Sequence, residues 1–102
     1  MATGKITVLK RMANSDIADE YMREEHRIVP CPYLEDGQEF IFEDWGAIPE
    51  GFCSWAWMGI HKGVMLVMGG GSSPSVKHEG VVIACCSDGF RPVVFKIERL
   101  ED

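Results

Sequence analysis

The run 51–71, GFCSWAWMGIHKGVMLVMGGG, constrains this chain more than any other stretch. It carries Trp55 and Trp57, Met58, Met65 and Met68, and Cys53. Large aromatic side chains bury roughly 150–250 Å² each and dominate a small core. Read as a helix, the run places Cys53, Trp57, Ile60, Val64 and Met68 on one face, at three- and four-residue steps. Trp55, Met58, Met65 and Leu66 make the opposite side apolar as well, so the expectation is a helix buried all round. Pro49 suits the turn before it, and the glycines 69–71 supply the stop. Gly59 and Gly63 each cost about 1 kcal/mol relative to alanine inside a helix. The alternation Trp55, Trp57 followed by His61-Lys62-Gly63 also fits a hairpin with 64–68 as the return strand. The helix is the stronger reading, bent or interrupted near Gly63.

A chain of 102 residues reads as one domain over 1–102, large enough to bury a core without disulfide or metal staples. Its net charge of −6 argues against nucleic acid, which demands a concentration of Lys and Arg. The acidity gathers in 16–25 and 35–50 and reads as a solvated face. The opening MATGKITVLKRM has too short an apolar run for a signal-peptide core. The most apolar window, 52–68, is interrupted by His61-Lys62 and short for a membrane span. No membrane partner and a cytoplasmic location are expected. There Cys31, Cys53, Cys85 and Cys86 stay mostly reduced.

In chain order, 5–11 (KITVLKR) is a strand with β-branched Ile6, Thr7 and Val8. Asn14, Ser15 and Asp16 offer caps for a short helix over 16–25, with Ile17, Tyr21 and Met22 as its apolar stripe. Pro30 and Pro32 hold Cys31 in an extended segment. Asp36-Gly37 is a turn, and 38–43 a second strand. The run 69–80 (GGGSSPSVKHEG) is a surface loop, and lacks the Lys-Ser/Thr ending of a phosphate loop. The third strand, 80–86 (GVVIACC), is nearly all apolar and so expected at the centre of the sheet. After the Ser87-Asp88-Gly89 turn comes a fourth strand, 92–100. The result is an α+β domain: a mainly antiparallel sheet of about four strands, with a short N-terminal helix and a buried Trp/Met-rich helix. The expected core joins Ile6, Val8, Phe40, Val81, Ile83, Phe95 and Ile97 to Trp57 and Val64.

The segments IVPCP (28–32), GQEFIF (37–42), PEGFCSWAW (49–57) and ACCSDGFRPVVFKIERL (84–100) resemble a family of short, uncharacterised prokaryotic proteins. The likeness runs over most of the chain from Lys5 onwards. It implies a single domain in which all four cysteines belong to one design, and it carries no activity, substrate or catalytic residue with it.

No CxxC pair is present, so neither a zinc ribbon nor a thioredoxin motif is signalled. Cys85 and Cys86 are adjacent and point to opposite faces of a strand. Four-thiolate coordination is therefore awkward, while three thiolates plus His61 or water is feasible. Three readings stay open for Cys31, Cys53, Cys85 and Cys86: inert core thiols, a zinc or iron–sulfur site, and redox or nucleophilic chemistry. Their positions at element ends predict that Cys53 approaches one of Cys85 and Cys86, with Cys31 third, beside Arg91 and His61. His61 reads otherwise as a polar break in the helix, and His26 and His78 as solvated. Asp88 and Arg91 flank the last turn. An arginine there favours thiolate, and the competing role for Asp88 is to accept backbone hydrogen bonds. The bare strip of Gly59 and Gly63 suits close approach by the chain's own sheet or by a second copy in a homodimer.

Two function classes follow. One is a small cysteine-site protein binding a metal or cluster, or cycling thiols. The other is a non-catalytic module that uses its Trp/Met-rich segment as a ligand pocket or dimer face. No motif names a reaction.

Overall fold

Alternation builds the first strand, β1 (Thr3–Arg11): Gly4, Ile6 and Val8 are buried while Thr3, Lys5 and Thr7 are half-buried. The computed structural model describes residues 3–43 and 46–100; the expected single domain over 1–102 lies outside them at 1–2, 44–45 and 101–102. After β1 come α1 (Ser15–Tyr21), β2 (Glu39–Phe42), α2 (Ser54–Met68), β3 (Val81–Cys85) and β4 (Val93–Leu100). The four strands form one sheet in the order β2-β1-β4-β3, every pair antiparallel. α2 packs across one face of the sheet, so the α+β architecture expected from the sequence is the observed one. The register shifts between Val8 and Lys10, where β1 bulges.

The core lies between α2 and the sheet. Ile6, Val8, Phe40, Val64, Phe95 and Ile97 belong to it as expected, and Trp57 packs against it half-buried. Aromatic rings tie the layers together: Phe52 meets Phe40 edge-on at 4.9 Å between centroids and Phe95 at 5.5 Å, and Phe42 meets Trp57 at 6.0 Å. Such pairs add about 0.5–1.5 kcal/mol each beyond burial.

Three details differ from the sequence reading, and a fourth chooses between its alternatives. β3 is an edge strand, not a central one, and the residues that face α2 are Val82 and Ala84. Ile83 is 49% exposed, and Val81 is outside the core cluster. A strand made almost wholly of apolar residues gives no alternation from which its inner face can be read. α2 is unbroken, and its outer side is open: Trp55, Met58, Met65 and Leu66 are all exposed, because the sheet covers only one face. α1 is shorter than expected, with Ala18 as its buried residue, while Ile17 and Tyr21 are exposed. The glycine strip receives the chain's own sheet. A β-carbon on Gly59 would lie 3.2 Å from the Ser87 nitrogen, and one on Gly63 3.1 Å from Ile97 and 3.2 Å from Val82. Among the described residues, no helix is long and apolar enough to cross a membrane.

Candidate functional site

Three chain segments meet at the start of α2. The first is the segment 31–34, which turns at Pro32 and Tyr33 and is not the extended run expected from the prolines flanking Cys31. It is fastened to β1 by Arg11, whose Nη1 donates to the carbonyls of Cys31 (3.0 Å) and Leu34 (3.1 Å). The Arg11 Nε donates to Asp36 Oδ1 at 3.1 Å, and the Leu34 side chain is buried. The second segment is the first turn of α2, with Cys53 as its capping residue.

The third is the β3–β4 turn. Cys86 and Val93 close it, with the Cys86 amide donating to the Val93 carbonyl (3.0 Å) and the Val93 amide to Cys86 Sγ (3.3 Å). Asp88 Oδ1 accepts from the amides of Phe90 (3.0 Å) and Arg91 (3.3 Å), and so holds the turn from within. From outside it is strapped to the end of β1, where Met12 and Asn14 donate backbone bonds to Pro92 and Phe90. Asn14 Nδ2 adds a bond of 2.8 Å to the Gly89 carbonyl.

Between these segments lies a cavity of about 510 Å³. Cys31, Cys53 and Cys86 line it, with Tyr33, Leu34, Trp55, Ala56, Phe90 and Val93 making most of the wall apolar. Asp88 and Arg91 also line it. Cys31, Cys53 and Cys86 thus line one cavity. Cys85 does not: strand alternation turns it away from α2, and it is exposed. His61 also lies outside the lining, its ring 5.1 Å from that of Trp57. The sequence reading missed Tyr33, Leu34 and Phe90; the only available signal was their closeness in the chain to Cys31 and Asp88.

The charges in the cavity are arranged unequally. Asp88 is committed to the two backbone amides through Oδ1, and its Oδ2 stands 3.4 Å from Arg91 Nε. That nitrogen is buried and makes no hydrogen bond among the described residues, so the pair is electrostatic and poorly aligned. Partial burial, with the Cys86 thiol alongside, pushes the Cys85 thiol up. Among the described residues, no group of three or more His, Cys, Asp or Glu is placed to hold a metal ion.

A second cavity, about 520 Å³, sits at the other end of α2 beside the glycine loop and Arg99. There the amides of Gly69, Gly70 and Gly71 are spent on the last carbonyls of α2, and Arg99 Nη1 donates to the Met68 carbonyl at 3.3 Å. Its parts cap a helix C-terminus and leave few donors for an anion. The thiol-lined cavity is the candidate site.

Comparison with protein-family models, with curated proteins and with solved structures returns no match for this chain.

Proposed function

We propose that this protein is a small-molecule-binding module whose ligand occupies the thiol-lined cavity at the start of α2. The observation that carries this reading is the cavity of about 510 Å³, apolar over most of its wall and holding one ion pair. Small-molecule sites are concave spaces of about 300–1,000 Å³, lined mainly by apolar and aromatic side chains with a few polar groups to fix orientation. The Trp-rich segment contributes to this cavity through Cys53, Trp55 and Ala56 at its start, while Met58, Met65 and Leu66 are exposed outside it. The module works in the cytoplasm, where its unpaired cysteines stay reduced. Its negative charge speaks against nucleic acid as partner.

Thiol chemistry is the second reading, favoured by the convergence of Cys31, Cys53 and Cys86 on one space. Of its variants, redox or nucleophilic chemistry has better support than zinc or an iron–sulfur cluster, which needs a closer set of ligands than these residues form.

A fragment screen by thermal shift, followed by alkylation of the native protein, tests the proposal. A true ligand raises Tm and slows modification of Cys31, Cys53 and Cys86 while leaving Cys85 unaffected. Ligands that raise Tm without protecting any of the three would place binding elsewhere. Zinc or iron retained after purification without oxygen would favour the metal reading over the ligand pocket.

A further inference from the structure

We infer that the cavity selects ligands carrying a carboxylate or a similar planar oxyanion, and that Arg91 reads that group. The inference rests on the ligand-pocket reading and narrows it to a chemical class. An arginine has five N–H donors in a fixed fork suited to bidentate recognition of a carboxylate. Among the described residues Arg91 is the cationic side chain of the cavity's lining; it is partly exposed, and its ion-pair neighbour Asp88 stands 3.4 Å from Nε. Nε itself is shut off from the open space, so an arriving oxyanion would meet the outer guanidinium nitrogens.

Asp88 offsets part of that charge through Oδ2, 3.4 Å from Arg91 Nε. Its Oδ1, however, is committed to two backbone amides of the turn, so it acts as a positioning residue that presents Arg91 at the cavity wall. Among the described residues no other carboxylate lines the space, and no acidic residue stands in the first turn of α2 to repel an anion. The remaining wall, with Trp55, Ala56, Leu34 and Phe90, suits an apolar body. A neutral hydrocarbon would fill the space but leave Arg91 unanswered, and a cation would meet the guanidinium.

The test compares carboxylates with their uncharged isosteres: 4-phenylbutyrate and octanoate against 4-phenylbutyramide and octanamide, by titration calorimetry. Protection of Cys86 from alkylation reports occupancy of the cavity. Wild type is expected to bind at least one acid tighter than its amide by about tenfold or more, the worth of a charge-assisted hydrogen bond. In Arg91→Gln that gap should collapse while the amide binds as before. The wild-type comparison does not depend on the variant folding. Acid and amide binding alike to wild type, with Cys86 protected, would overturn the role of Arg91 and leave the pocket standing. A gap that persists in Arg91→Gln would assign the anion to another group. No binding and no protection by any of the four would remove the pocket and this inference together.

Discussion

Gly59 seats α2 directly on the backbone of Ser87, so close that a β-carbon at Gly59 would stand 3.2 Å from the Ser87 nitrogen. This contact brings the first turns of the helix against the β3–β4 turn, and thereby sets the spacing of Cys53 from Cys86 across the cavity. The neighbour is backbone at the end of a strand, which gives way less readily than a side-chain tip. Gly59→Val is expected to lower stability by about 1–3 kcal/mol through overpacking. Gly59→Ala should cost less, because alanine gains about 1 kcal/mol of helix propensity. Urea denaturation of both variants checks this. A valine variant as stable as wild type would show that the helix does not rest on the turn.

The core ranks its aromatic residues by burial. Phe95 is fully buried and contacts Phe52, whereas Trp57 is half-buried at the margin of the cluster. Phe95→Ala should cost about 3–5 kcal/mol, and Trp57→Ala distinctly less. Chemical denaturation of the two variants side by side decides the order, and the reverse order would misplace the centre of the core.

Cys85 is set apart from the other thiols by its place outside the cavity. It is the exposed one, yet partial burial and the neighbouring Cys86 hold its thiol above the usual cysteine range. A smaller fraction is thiolate at neutral pH than in an ordinary exposed cysteine, so its alkylation should gain speed at higher pH than that of a peptide cysteine. Iodoacetamide rates followed by mass spectrometry between about pH 7 and 10 give the profile. A profile at or below that of the peptide thiol would contradict it.

On the open face of the sheet, Lys5 sits between Glu39 (3.3 Å) and Glu98 (3.7 Å). The hydrogen bond and charge of Glu39, with a lesser contribution from Glu98, hold its ammonium above the usual lysine range. The folded value exceeds the unfolded one, so the contribution is fully present below the unfolded pKa of about 10.4. It disappears as pH rises through the folded value. Wild type should therefore exceed Lys5→Met in stability at neutral pH and converge with it in strong alkali. A stability difference that grows with pH would reverse the sign.

How much of this was readable in the chain depends on the strength of local pattern. β1 and β4 alternate cleanly, so Ile6, Val8, Phe95 and Ile97 could be placed in the core from sequence alone. The helix was legible from its three- and four-residue periodicity, but its exposed face was not. An apolar side chain carries no mark of whether a layer exists to cover it. The same limit hid the position of β3, whose place at the edge follows from β4 pairing with β1 on its other side. For the cavity, element ends pointed to Cys53 and to one of the paired cysteines. The choice of Cys86 over Cys85 required the β3–β4 register, in which Ala84 lies opposite Phe95 on the inner face. His61 was misleading because its spacing from Cys53 and Trp57 matched a helical face, while the cavity opens only at the first turn of α2.

The hold of Arg11 on 31–36 gives one wall of the cavity an independent character. That wall belongs to no strand; a guanidinium and the buried Leu34 anchor it, while residues 23–27 before it are wholly exposed. Lengthening a loop adds little closure entropy, so the exposed stretch is free to change in length and sequence while both anchors stay in place. Residues 31–34 are thus the pinned part of this wall, and the approach to it at 23–27 is where insertions would be absorbed without moving the sheet or α2.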